Sequence, residues 1–192
     1  MTPRVVLFAR YPTPGQAKTR LIPALGANAA AALHRRLTER ALSTMRASGM
    51  PMEVRTTGAP LPGFRAWLGS GPDLVDQGGG DLGARLLRAA SPPVILIGAD
   101  IPDLAPSHLL DAAAALHSCP AVVGPAEDGG YYLLGLRDPM PFLFDAMPWG
   151  TDQVLALTLQ RLVDRGITPA LLAPLADLDR PEDLARWPGL PA

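Results

Sequence analysis

Two uninterrupted apolar runs constrain this chain more than any other feature. Val5–Ala9 reads VVLFA and Val94–Gly98 reads VILIG, with no polar residue in either. A strand wetted on one face alternates apolar with polar; a run without alternation is expected of a strand buried on both faces, as in a parallel sheet covered by helices. The segments between keep that rhythm. Ala27–Ser48 reads as a helix that Gly49 stops. Met52–Thr56 and Asp73–Asp76 read as strands, and Pro62–Gly71 as loop with a helical turn near Trp67. Asp81 is placed to cap a helix through Ala90. Ser107–His117 is expected to be helical, and Ala121–Gly124 and Tyr131–Leu136 to be strands. Thr151 would cap a helix running to Arg165, Thr168–Leu172 would be a last strand, and Asp179 would cap a short helix over Arg180–Trp187. Strands alternating with helices imply an α/β fold with a mostly parallel central sheet and helices on both faces. A length of 192 residues suits one core rather than two, so residues 1–192 are expected to form a single domain.

Composition removes several classes of function. Seventeen basic residues against eighteen acidic ones leave a net charge of −1. No bulk positive field is available to hold nucleic acid. A single cysteine, Cys119, excludes an internal disulfide framework and a multi-cysteine zinc site, and it reads as a buried structural thiol. The three histidines, His34, His108 and His117, fall in separate expected helices and form no zinc-binding spacing. The opening MTPRVVLFAR is too short an apolar run for a signal or a membrane span. A soluble, cytoplasmic protein with no membrane partner is the expectation.

In folds of this type, ligands sit beyond the carboxyl ends of the strands, where the strand order reverses. The loop after the first strand, ARYPTPGQAKTRLIP, carries Arg10, Gly15, Lys18, Thr19 and Arg20. Sixteen of the seventeen basic residues are arginine, so the one lysine stands out. Lysine offers a compact point charge where arginine offers a planar fork. Cations and open backbone N–H groups at a strand end suit phosphate oxygens; a solvated basic loop is the alternative. In DQGGGDLGARL, Gln77 has the donor and acceptor to read a nucleobase edge, and the glycines admit a flat base, although a turn and the Asp81 cap explain the same residues. Asp100 leaves the most buried strand in IGADIPDL, where a carboxylate is costly unless paired and is suited to Mg²⁺ or Mn²⁺. Asp103 follows, as a further carboxylate or as a turn cap. In ADLDRPEDL, Asp177 and Asp179 stand two apart, with one of the pair expected to face the cleft; Asp179 with Glu182 also makes a capping box. Glu127 and Asp128 precede Gly129-Gly130 and two tyrosines, a combination that suits sugar hydroxyls and C–H faces, or a plain hairpin turn.

Taken in order, FARYPTPGQAKTRL, QGGGDLGARL, IGADIPDL, GPAEDGGYYLLGL, PWGTDQVL and DLDRPEDL resemble a bacterial family of glycosyltransferase-A type, DUF2064. Its members are nucleotide-diphospho-sugar transferase-like, and some are linked by name to arsenosugar biosynthesis. More distantly, the order is similar to that of molybdenum-cofactor and sugar-nucleotide nucleotidyltransferases and of the guanylyltransferase of coenzyme F420 biosynthesis. The resemblance implies a Rossmann-like glycosyltransferase-A fold. It also implies nucleotide phosphates on Gly15, Lys18 and Arg20, a base near Gln77, Asp81, Leu82 and Gly83, and a metal on Asp100 with Asp179. Arg180 replaces the threonine frequent in those relatives, and no strict D-x-D triplet is present.

Three functions follow as expectations. The first is a Mg²⁺- or Mn²⁺-dependent glycosyltransferase that moves a sugar from a nucleoside-diphosphate donor to a small-molecule acceptor. Lys18 would share the leaving-group charge, and Asp128 or Glu127 would bind hydroxyls or act as base. The second is a nucleotidyltransferase that releases pyrophosphate from a nucleoside triphosphate. The third is a non-catalytic nucleotide-binding domain. In each enzyme reading, Asp100 and its divalent ion face the cationic loop across a gap of polyphosphate size.

Overall fold

The structure is a computed structural model that describes residues 2–190. The domain expected over 1–192 therefore includes three residues, 1, 191 and 192, that lie outside the described ones. In chain order the elements are β1 (Arg4–Arg10), α1 (Ile22–Leu25), α2 (Ala27–Ser48), β2 (Met52–Thr57), α3 (Leu61–Leu68), β3 (Asp73–Asp76), α4 (Leu82–Ala89) and β4 (Val94–Ile97). They continue with α5 (Pro106–Ala115), β5 (Ala121–Pro125), β6 (Tyr131–Leu136), α6 (Val154–Val163) and β7 (Ala170–Leu171).

The seven strands form one sheet in the order β3-β2-β1-β4-β6-β5-β7. All pairings are parallel except those of β6, which runs antiparallel to both β4 and β5. β1 and β4 behave as their unbroken runs predict. Val5, Leu7 and Ala9 of β1 join Ile95 and Ile97 of β4 in a core roofed by α2, α3 and α5. Val6 joins Val94 and Leu96 on the opposite face, against Leu86 and Ala89 of α4 and Leu162 of α6. Successive side chains alternate across a strand, so both faces of β1 must be apolar once both are covered. A third cluster ties the end of the chain down: Leu178 is fully buried with Leu21, Leu33 and Leu37.

Most boundaries match the sequence, and the departures have local causes. Leu61–Leu68 is a full helix rather than a loop with one turn. Pro62 and Gly63 disguise it, but proline is tolerated in a first turn, and Phe64 and Leu68, four apart, bury one face. α6 starts two residues later than expected, because the Thr151 hydroxyl donates to Pro148 O (2.8 Å) in a turn rather than opening the helix. The last strand shrinks to two residues, Ala170 and Leu171. The terminal helix is a 3₁₀ segment over Pro181–Arg186, and Asp179 does not cap it with its side chain. The Asp183 carboxylate accepts from the N–H groups of Asp179 (3.0 Å) and Arg180 (2.7 Å) instead. Cys119 is half-buried, not buried.

The chain turns from β1 to β2 on one side and crosses to β4 on the other. The carboxyl ends of β1 and β4 are thus neighbours at the point where strand order reverses, the general position for ligands in open α/β sheets.

Candidate functional site

The loop from β1 and the loop from β4 meet at that reversal through an ion pair. Lys18 has φ +49°, ψ +46°, a left-handed backbone uncommon outside glycine. Its side chain is 3% exposed, so the ammonium must be satisfied internally. Nζ lies 2.6 Å from Asp100 Oδ1 and 3.6 Å from Asp179 Oδ1, and it donates to Leu178 O at 2.5 Å. A strained backbone persists where its surroundings over-determine it; three oxygens from two distant segments do that for Lys18.

The same contacts anchor the C-terminal segment. Leu178 N–H donates to Asp100 O (2.9 Å), and Leu178 itself is core. Asp177 and Asp179, on either side of it, both line the cleft, and the expectation that one faces it and one does not is overturned. Alternate residues of extended chain share a face, and the buried leucine between them takes the other. Arg20 closes the group through Asp179 Oδ2 at 2.5 Å.

These residues divide one cleft into two halves. One half, about 440 Å³, is lined by Arg10, Lys18, Thr19, Arg20, His34 and Gln77, with Leu82 and Arg85 across from them and Asp100 and Asp179 at its edge. The other, about 360 Å³, is lined by Asp100, Asp128, Asp177 and Asp179 with Tyr131, Tyr132 and Trp149. Lys18 is not separated from Asp100 by a polyphosphate-sized gap. The two touch, and the open space lies on either side of the pair.

Burial alone would push the Asp100 carboxyl up. The Lys18 ammonium, through its charge and its hydrogen bond, outweighs that and holds it below its ordinary 3.8, with a smaller contribution from His34. His34 itself is pushed below 6.5 by burial, against the opposing pull of Asp100. Asp177 is raised by burial and by Asp128, with Asp183 and Asp179 adding to it. Burial is the larger cause, and the surplus of negative charge around Asp177 adds to it.

The remaining residues singled out in the sequence fall into place unevenly. Gln77 is buried, and its Nε2 donates to Arg55 O (3.0 Å) and Ala9 O (3.4 Å), so that nitrogen is already spent on backbone. Asp81 caps α4, accepting from Ala84 N–H at 2.8 Å. Leu82 presents its side chain to both halves. Gly83 faces away: a Cβ there would lie 2.5 Å from Phe144 O and 2.8 Å from Trp149 Nε1. Gly15 has φ +81° with open space around it, in an exposed turn before Gln16. Glu127 is engaged by Arg186 at 2.6 Å on the exposed rim, and Asp128 accepts Gly130 N–H at 2.9 Å. Asp103 accepts from Trp187 Nε1 at 3.0 Å.

Two lining residues, Arg85 and His34, escape a loop-by-loop reading, whereas Asp177 is visible in it. Arg85 lies three positions beyond Leu82 on α4, and that helical spacing would have paired them. His34 sits on the buried face of α2, where its Nε2 meets Arg10 O at 3.0 Å. Asp177 faces the acidic half.

Among the described residues, no group of three or more Asp, Glu, His or Cys side chains is arranged around a metal position. The donor set suits a hard divalent ion nevertheless. Asp100 and Asp179 are hard oxygen donors, but the Oδ1 atoms of both face the Lys18 ammonium and Asp179 Oδ2 meets Arg20, so the second oxygen of Asp100 is the donor open to an ion; Mg²⁺ is commonly held by one or two carboxylates plus substrate phosphates and water.

Fold and cleft together define a nucleotide-diphospho-sugar transferase-like α/β protein of the glycosyltransferase-A, nucleotidyltransferase-like kind. The chain belongs to the family described as "Uncharacterized protein conserved in bacteria (DUF2064)", which matches residues 29–151. A protein from Desulfovibrio desulfuricans G20, assigned by name to the nucleotide-diphospho-sugar transferases, is 31% identical. The match covers 94% of this chain and 84% of that one, with a TM-score of 0.88. Glucosyl-3-phosphoglycerate synthase from Mycobacterium tuberculosis, solved with Mn²⁺, UDP and glucosyl-3-phosphoglycerate, shares the fold at 15% identity, 96% and 75% coverage and a TM-score of 0.58. A nucleotidyl transferase from Methanothermobacter thermautotroptrophicus does so at 16% identity, 96% and 95% coverage and a TM-score of 0.57. No curated protein sequence matches the chain. No helix among the described residues is long and apolar enough to cross a membrane.

Proposed function

We propose that residues 1–192 act as one domain, a metal-dependent transferase that uses a nucleotide-activated substrate, and that the reaction is glycosyl transfer from a nucleoside-diphosphate sugar to a small-molecule acceptor. The observation that carries this reading is the convergence of Lys18, Asp100 and Asp179 at the strand-order reversal, between a cationic and an acidic half of one cleft. The 31% identity to the Desulfovibrio protein supports the sugar-nucleotide class.

In this reading the diphosphate lies in the cationic half. Arg10, Lys18, Arg20 and Arg85 oppose its charge, and Leu82 with the backbone near Gln77 borders the base. Asp100 and Asp179 would hold Mg²⁺ or Mn²⁺, which when bound neutralises charge developing on the leaving diphosphate. Lys18 keeps the two carboxylates in register and is itself near enough to share that charge. The sugar and acceptor then occupy the acidic half, where Asp128 binds a hydroxyl or removes its proton. Glu127 serves on the rim, since its carboxylate is held by Arg186.

The four cations of the first half would equally accommodate a triphosphate, which keeps nucleotidyl transfer as the second reading. The test is product analysis with Mn²⁺ or Mg²⁺ present. Free nucleoside diphosphate from a nucleoside-diphosphate sugar is the expected outcome; pyrophosphate from a nucleoside triphosphate would replace it with the second reading. Nucleotide that binds without turnover of any donor would leave a binding domain.

A further inference from the structure

The acidic half says what chemistry its occupant has. Four carboxylates line it: Asp100 and Asp179 are paired with Lys18 and Arg20, whereas Asp128 and Asp177 make no ion pair among the described residues. Its walls are aromatic, with Tyr131 and Trp149 edge to face at 6.4 Å between ring centroids.

Resting on the transferase reading of this cleft, we infer that the acceptor is a hydroxyl-bearing small molecule with no anionic group, neutral or cationic, and that phosphorylated acceptors are rejected. Carboxylates accept hydrogen bonds from hydroxyl and ammonium donors, and aromatic rings cover the C–H face of a polyol. A phosphate brought into the same space meets the uncompensated charges of Asp128 and Asp177 at partly desolvated range. Each such carboxylate disfavours it by about tenfold. Selection therefore comes from repulsion as much as from contact.

The test uses three probes of one shape: glucosamine, glucose and glucose 6-phosphate. Each is titrated into the protein without nucleotide and followed by NMR. The expected order of affinity is glucosamine, glucose, glucose 6-phosphate, with the last at least about tenfold weaker than glucose. Asp128→Asn and Asp177→Asn keep the side-chain shape and the accepting oxygen. Each should narrow the spread, and the double variant should bring glucose 6-phosphate level with glucose. Glucose 6-phosphate binding as tightly as glucose to the unaltered protein would overturn the inference. So would an order unmoved by the variants, or no saturable binding of any probe. Failure of the transferase reading looks different: the three probes bind in the expected order while no nucleoside-diphosphate sugar is consumed. Release of nucleoside diphosphate with a phosphorylated acceptor would keep the transferase and discard the acceptor class.

Discussion

The two halves of the cleft meet at the same carboxylates, yet their charges are held in opposite ways. On the cationic side the key charge is buried and fully coordinated: Lys18 touches three oxygens, and its partners come from β4 and from the C-terminal segment. On the acidic side Asp128 stands on the Glu127–Gly130 turn and Asp177 on extended chain. Asp128 is fixed by one backbone N–H, and Asp177 is surrounded by other acids. A coordinated buried charge behaves as a structural joint, and its removal leaves its partners uncompensated. Charges that crowd one another without partners instead leave a potential for a ligand to relieve.

The sharpest way to break this contrast is to remove the joint. Lys18→Ala should lower stability by about 3 kcal/mol, since it leaves Asp100 and Asp179 facing each other without their shared cation. It should also weaken metal-dependent nucleotide binding by about 100-fold or more. Asp100→Asn should cause a comparable loss of nucleotide affinity, and a chelator should reproduce it in the unaltered protein. Calorimetry with and without Mn²⁺ checks all three. Unchanged affinity in both variants would remove the proposed site.

Glycines sharpen the comparison one step down. Gly129, between two residues that line the acidic half, has φ +89°, and a Cβ there would run into the backbone of Asp152. Gly15, on the cationic side, has φ +81° and nothing within 4 Å. Gly129→Ala therefore combines backbone strain with a steric clash that only main-chain movement relieves, at a cost of about 3 kcal/mol. Gly15→Ala meets the strain alone, about 1 kcal/mol. Urea denaturation of both variants tests the difference, and equal costs would mean that the Glu127–Gly130 turn is looser than described.

Much of this layout was legible in the sequence, for reasons that differ by residue. The unbroken runs of β1 and β4 revealed a doubly covered sheet because burial on both faces leaves no alternative pattern. Asp100 was legible because a carboxylate at the end of such a strand demands a partner. The identity of that partner was not legible, since Lys18 and Asp100 lie 82 positions apart and only the parallel crossover brings them together. Asp179 was ambiguous between ligand and cap until Asp183 proved to take the backbone N–H groups. His34 was hidden by its helix: on a face of Ala30, Leu33 and Leu37 it reads as core, and only the third dimension turns it toward Asp100.

His34 supplies a pH test of the cationic side. Its folded pKa is depressed below 6.5, mainly by burial, so the unfolded chain binds the proton more readily. The stability it contributes is fully present above pH 6.5 and is lost as the pH falls through the lower folded value. His34→Gln should flatten the decline in melting temperature between pH 6.5 and that value, while the decline below 3.8, where Asp100 takes up a proton more readily in the unfolded chain than in the folded one, persists. An identical slope in the variant would mean that His34 titrates as if exposed.

The smallest effect is expected at the outer rim of the acidic half. Arg186 and Glu127 lie 2.6 Å apart, but both side chains are about half exposed. Pairs of this kind gain little, because water screens the attraction and two long side chains lose freedom to meet. The hydrogen bond to Glu127, and next its charge, raise the Arg186 guanidinium above its ordinary value. It is cationic with or without that help, so the shift moves nothing at working pH. Arg186→Ala should leave the melting temperature unchanged within error. What it should alter is the rim's charge: with Glu127 released, the acidic half becomes more negative, and the glucosamine preference over glucose should widen. A fall in melting temperature as large as that from Lys18→Ala would show that the two sides of the cleft are built alike, and the contrast between joint and unrelieved charge would fail.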